Sequence, residues 1–175
     1  MGCDIHIWAE VRDKKTGTWT MVGEEFSLDD WTKEYRKKDK TEHPFDHRDY
    51  SVFAFFADVR NYDHCEPLSE PRGIPEDSDD WIINEYERWN GDAHSASYLT
   101  LRELSEFDYD KKFWNRRIEK QLSPNSWTGA GLAEEGEGKI ISYRENFGKQ
   151  YFTHLEELKQ LGDPDDVRIV FFFDN

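Results

Sequence analysis

Two short motifs in the chain carry the residue types that move protons, and both have the spacing Asp-x-His. One is Asp4-Ile5-His6, with Trp8 and Glu10 following at the same two-residue interval. The other is Asp92-Ala93-His94, set within Gly91-Asp92-Ala93-His94-Ser95-Ala96-Ser97. Imidazole changes protonation near neutral pH, and a neighbouring carboxylate selects which ring nitrogen holds the proton, so such a pair suits general acid–base catalysis. The same donor types can share a metal ion.

Each motif also has a plainer explanation. Cys3, Ile5, Ile7, Ala9 and Val11 alternate with Asp4, His6, Trp8, Glu10 and Arg12, the period of a β-strand. Asp4, His6, Trp8 and Glu10 then share one face at intervals of about 6.5–7 Å. A solvated sheet face with Trp8 packing locally would have this pattern too. The second motif is expected on a loop entering a helix. There, backbone N–H groups and the hydroxyls of Ser95 and Ser97 can surround an anion while His94 serves as acid or base. A capping cluster would use the same Asp and Ser residues to satisfy loose backbone donors.

Together the motifs predict one shared site, with Asp4, His6, Asp92 and His94 as its catalytic residues. One histidine would be the general base and the other the acid. Trp8, Glu10, Arg48, Arg60, Ser95 and Ser97 are the expected ligand contacts, the two arginines as anion anchors beside an aromatic helix. Lys111-Lys112-Phe113-Trp114-Asn115-Arg116-Arg117 is a basic and aromatic cluster suited to phosphate, or equally an exposed helix with Phe113 and Trp114 partly buried. His43, His47, His64 and Cys65 lack the tight spacing of a structural zinc site. The sequence has no Gly-Lys-Ser/Thr, no Gly-x-Gly-x-x-Gly after a strand and no Gly-x-Ser-x-Gly, so P-loop, dinucleotide-binding and serine-hydrolase readings fail.

The elements that must position these residues follow from periodicity and breakers. The first strand turns through Asp13 to Gly17 into a second strand, Thr18 to Phe26, forming a hairpin. Residues 27–49 read as a polar excursion holding a short helix. Tyr50, Phe53, Ala54, Phe56, Ala57 and Arg60 predict a core helix ending near Asn61. Residues 62–80, with Pro67, Pro71, Gly73 and Pro75, form a long loop, and Trp81 to Trp89 a helix. Thr100 and Glu103 form a capping box for a helix through Phe107. Residues 123–139, with Pro124 and four glycines, read as a moving flap. A helix is expected over Phe152 to Leu161, capped by Gly162. Val167 to Phe173 reads as a central strand beside the first, covered on both faces. The predicted fold is a single α+β domain over 1–175. Its mainly antiparallel sheet is built on the N-terminal β-hairpin and the C-terminal strand, packed by a few helices and long loops.

Composition narrows the function. A chain of 175 residues with 7 Trp, 8 Tyr and 12 Phe concentrates its apolar mass in large rings that serve a core or a stacked ligand. A net charge of −15 repels phosphate backbones, so duplex nucleic acid is not an expected partner. A small anion needs only a local basic pocket. An acidic surface also fits a decoy that blocks a basic protein. Two cysteines are too few for a disulfide framework and point to the cytoplasm. No apolar run is long enough for a membrane span. His6 stands where a myristoylation signal wants Ser or Thr, so the Met-Gly start is not read as a lipid anchor.

The chain resembles a family of uncharacterised phage and bacterial proteins that open Met-Gly-Cys-Asp-Ile-His. The likeness includes Arg48-Asp49-Tyr50 leading to Phe53, Ala57-Asp58-Val59-Arg60, Arg72-Gly73-Ile74-Pro75, Gly91 to Ser95, Ser97 to Leu101, and Val167 to Phe171 with Asp174-Asn175. Residues 27–47 and 108–166 match poorly. The resemblance implies a phage or bacterial cytoplasmic protein, in the host cytoplasm if phage-encoded, and assigns no reaction.

The resulting expectation is a hydrolase of a phosphorylated or nucleotide-like molecule, using Asp/His acid–base chemistry. No cofactor is required, and a divalent metal is compatible. One alternative is a phage protein that sequesters a nucleotide signal without turnover, as in immune evasion. The other is the acidic decoy. A homo-oligomer is compatible with all three.

Overall fold

The alternation of the first strand is what the fold is built on. In the computed structural model, which describes residues 2–22, 44–121, 124–125 and 128–175, that strand is β1 (Asp4–Arg12). It pairs antiparallel with β8 (Val167–Asp174) from Asp4 opposite Asp174 to Val11 opposite Val167. β2 (Trp19–Met21) returns along the other edge of β1, and β3 (His94–Thr100) lies beside β8. The four-stranded order is β2-β1-β8-β3, so the C-terminal strand is central and the fold is α+β on an antiparallel sheet.

The run Val167 to Phe173 lacks a polar period because both of its faces are covered. On one face Val167, Ile169, Phe171 and Phe173 join Cys3, Ile5, Ile7 and Ala9. Against them pack α1 (Tyr50–Ala57) and α4 (Tyr143–Lys159), with Phe53 at 5.0 Å from Phe173 and Phe56 at 5.5 Å from Phe171, ring centre to ring centre. On the other face Val170 and Phe172 join Trp8 beneath α2 (Asp80–Trp89), which contributes Ile82, Tyr86 and Trp89. The polar-looking face of β1 is thus largely a second core.

Several boundaries differ from the sequence-based expectation, each for a local reason. α1 stops at Ala57 because Asp58 and Arg60 take left-handed conformations, φ 57° and 51°. α4 begins at Tyr143, well ahead of Phe152, on a capping box between Ser142 and Glu145. Its period is broken at Gly148, where φ 68° and ψ −172° interrupt the helix, a conformation that favours glycine. The helix ends on Gln160 in the right-handed region rather than on a left-handed Gly162. The capping box at Thr100 and Glu103 does start a short helix, α3 (Leu101–Glu106).

The basic cluster expected on a helix instead forms two strands, β4 (Lys112–Asn115) and β5 (Arg117–Gln121). β4 pairs with β7 (Lys139–Ser142), and β5 with β6 (Thr128–Leu132). Within the glycine-rich segment 123–139, expected as a flap, Thr128–Leu132 is strand and β7 starts at Lys139. Residues 122–123 and 126–127 lie outside the described residues. So do the predicted second strand beyond Val22 and the polar excursion up to residue 43, with His43.

Candidate functional site

Because β1 starts where β8 stops, Asp4 and Asp174 meet at one end of the sheet. Directly opposed residues in an antiparallel pair point to the same face. Asp4 and His6 therefore share a face with Asp174 and Phe172. His6 Nε2 lies 3.2 Å from Asp174 Oδ2. A carboxylate can only accept, so Nε2 holds the proton and Nδ1 is left as the basic atom. Among the described residues Nδ1 has no hydrogen-bond partner. The ring packs against Trp89 at 4.4 Å and Phe172 at 4.8 Å, and a quarter of the side chain (25%) remains open to solvent.

Asp4 turns outward and is gripped by Arg48, Nε to Oδ1 at 2.8 Å and Nη2 to Oδ2 at 2.6 Å. The guanidinium lies close over Gly2, where a Cβ would fall 2.7 Å from Nη1. The Asp4 amide donates to Asp174 Oδ1 at 3.3 Å, tying the two carboxylates into one network. The hydrogen bonds from Arg48 hold the Asp4 carboxyl below the usual carboxylate range. A depressed folded-state value contributes stability above the ordinary range and loses it as pH falls through the lowered value. The pair should stay closed as pH drops to about 3.9, the ordinary Asp value, and open only below it. Asp4 side-chain carbon shifts in an NMR titration check this, and an ordinary titration would mean the pair is not formed. Both partners are half exposed, so the effect on overall stability is small.

Arg60, placed by the left-handed exit from α1, reaches the same end. Its Nη2 donates to Asn175 Oδ1 at 2.9 Å and its Nη1 to the Tyr62 hydroxyl at 3.5 Å. It also contacts the buried Cys3 thiol, whose pKa is raised by burial against the opposing pull of Arg60. The Cys3 amide donates to the Tyr50 hydroxyl at 3.2 Å.

The second Asp-x-His motif is placed differently from the expected loop. His94 opens β3 opposite Phe173, because Ala96, Leu99 and the free edge of β8 draw the segment into the sheet. A register shift between His94 and Ser97, with Ser95 at φ 50°, accommodates it. The His94 ring stacks on Phe173 at 6.0 Å, its Nδ1 lies 3.1 Å from Ser95 Oγ, and its Nε2 is buried with no partner among the described residues. His94 therefore shares the face of Phe173 and Ile5, whereas His6 shares the face of Phe172. The motifs sit at the same end of the sheet, about 9.5 Å apart in backbone spacing, on opposite faces. One reacting atom is not presented to both imidazoles by this arrangement.

The remaining candidates are dispersed. Asp92 is exposed in the turn after α2, its amide donating to Trp89 O at 3.0 Å. Ser97 is buried and its Oγ accepts the Arg72 amide at 3.1 Å. Trp8 is buried against Phe172 and Trp81. Glu10 is fully buried, with Oε2 accepting from Arg168 Nε at 2.6 Å, and Oε1 from Ser78 Oγ at 2.9 Å and the Asp79 amide at 2.6 Å. Its acceptors are used by the fold. Asp174, Asn175 and Tyr62 were not among the predicted site residues. Carrying the alternation of β1 across an antiparallel β8 would have found Asp174.

Among the described residues no group of three or more His, Cys, Asp or Glu side chains is placed to hold a metal ion, and no helix is long and apolar enough to cross a membrane. Comparison of the chain with protein-family models, curated proteins and solved structures finds no match.

Proposed function

We propose that the chain hydrolyses a phosphorylated or nucleotide-like small molecule at the end of the sheet where β1 begins and β8 stops. What carries this is the His6–Asp174 pair. An imidazole packed against two rings, with one nitrogen oriented by a carboxylate and the other left basic, is built for proton transfer. Support comes from Arg48 and Arg60, which bring two guanidinium groups to that end of a chain whose net charge is −15. In the proposed step Nδ1 takes a proton from water as its oxygen attacks phosphorus. The bond to the leaving oxygen breaks, and the imidazolium, stabilised by Asp174, returns the proton to that oxygen. Arg48 would turn from Asp4 onto the phosphoryl oxygens. The buried, unpaired cysteines are in keeping with a cytoplasmic setting.

Binding without turnover is the second reading, favoured by the placement of His94 on the other face, which leaves one imidazole where the shared-site idea needed two. A melting-temperature screen of nucleotides and sugar phosphates, with and without divalent ions, tests both. At least one probe should raise the wild-type midpoint, and Arg48→Ala should weaken its binding about ten- to hundredfold. Mass spectrometry of the denatured complex then separates hydrolysis from capture. If no phosphorylated probe shifts the midpoint, or hits ignore Arg48→Ala, the anion site is wrong.

A further inference from the structure

The ring that would meet the non-phosphate part of a ligand can be picked out by asking which aromatic faces at this end are still available. His6, Trp89 and Phe172 pack on one another, and Phe173 lies between Phe53 and His94. Tyr62 is different: it is 40% exposed, one of the few large apolar side chains among the described residues with that much surface open.

Its position is built rather than accidental. The hydroxyl is within reach of Arg60, and the ring stands edge-on to Tyr50 at 6.1 Å. Tyr50 in turn holds the Cys3 amide at the head of β1. The backbone around Tyr62 is fixed on both sides. Asn61 Nδ2 donates to Asp58 Oδ1 at 2.6 Å and to Cys65 O at 2.8 Å, and the Cys65 amide returns a bond to Asn61 Oδ1 at 3.1 Å. The Tyr62 amide closes a tight turn onto Arg60 O at 2.6 Å. Left-handed backbone at a bulky residue such as Arg60 is uncommon, and such conformations cluster at functional sites. Here that conformation aims a guanidinium at Asn175 and keeps it beside an exposed ring.

We infer that Tyr62 is a stacking subsite next to the Arg60 anion anchor. The ligand class is then a nucleotide or another phosphorylated aromatic compound, not a bare sugar phosphate. This rests on reading the sheet end as an anion site. A flat π face beside a guanidinium accepts a base without hydrogen-bond readout, so discrimination among bases at Tyr62 is weak.

The test compares adenosine 5′-monophosphate with ribose 5-phosphate by calorimetry on the full chain. Wild type should bind the nucleotide about tenfold or more tightly than the sugar phosphate. Tyr62→Leu, which keeps apolar bulk without a ring, should bring the two affinities together by weakening the nucleotide alone. Tyr62→Phe should keep most of the preference. A preference unchanged in Tyr62→Leu, or absent in wild type while both probes bind, overturns the stacking subsite and leaves the anion site standing. Failure of both probes to bind wild type overturns both.

Discussion

Glu10→Ala is expected to lower the unfolding free energy by about 3–5 kcal/mol, seen as a lower urea midpoint at an unchanged slope. Glu10 and Arg168 are buried between the sheet and the segment leading into α2, with side-chain exposures of 0% and 6%. Removing the carboxylate strands the guanidinium in a low-dielectric interior. The other carboxylate beside it, Asp77 at 2.9 Å, is 65% exposed and compensates weakly. Ser78 Oγ and the Asp79 amide lose their acceptor at the same time, loosening the start of α2. The indole of Trp19, 3.9 Å from the guanidinium carbon, stays in place but cannot neutralise it. Two controls sharpen the result. Glu10→Gln keeps volume and an acceptor and should cost less. Replacing Glu10 and Arg168 together by methionine removes both charges and should recover much of the loss, because a matched buried pair contributes little net stability over an apolar one. A loss below about 1 kcal/mol in Glu10→Ala would mean that the pair is not desolvated.

The second large effect concerns turnover. For whichever phosphorylated probe is hydrolysed, His6→Ala should lower kcat by about 10²–10⁴-fold, the usual worth of a positioned acid–base group. This corresponds to roughly 3–5 kcal/mol on the barrier. Because the ring packs against Trp89 and Phe172, alanine also opens a gap, so His6→Gln and a melting control separate chemistry from packing. Asp174→Asn should act in the same direction but less strongly. The ring keeps a neighbour that can accept from Nε2, while the charge that stabilises imidazolium is gone. Affinity for the probe should change little in either variant, since Arg48 and Arg60 hold the anion. An acid–base role further requires the pH dependence of kcat to flatten in His6→Gln. Full activity in that variant would exclude His6 from proton transfer and leave sequestration as the better reading.

Much of the frame was legible because it is local. The alternation over Cys3 to Val11, the apolar run at the C-terminus and the two residues of the Thr100–Glu103 capping box are short-range patterns with one dominant structural solution each. Patterns that depend on a distant partner were less readable. Lys112 to Asn115 has the composition of an exposed helix and becomes a strand only because Lys139 to Ser142 pairs with it. The start of α4 was obscured by Gly148, whose conformation breaks the helical period in the middle of the segment.

For the site, the sequence by itself determined which residues of β1 lie together: Asp4 and His6 face one way, and Cys3 and Ile5 the other. A two-residue period admits no other assignment. What lay across from them was decided only in three dimensions. Asp174 reaches His6 through a register set by pairing along the whole of β1 and β8, and α2 closes over Trp8 and Glu10 to make a core of what reads as a polar face. The repeated Asp-x-His spacing pointed to convergence, yet spacing fixes neither which strand a segment joins nor which side of it faces a helix. The register shift at His94 and its pairing with Phe173 settle that side, and place the second imidazole on the opposite face of the sheet from the first.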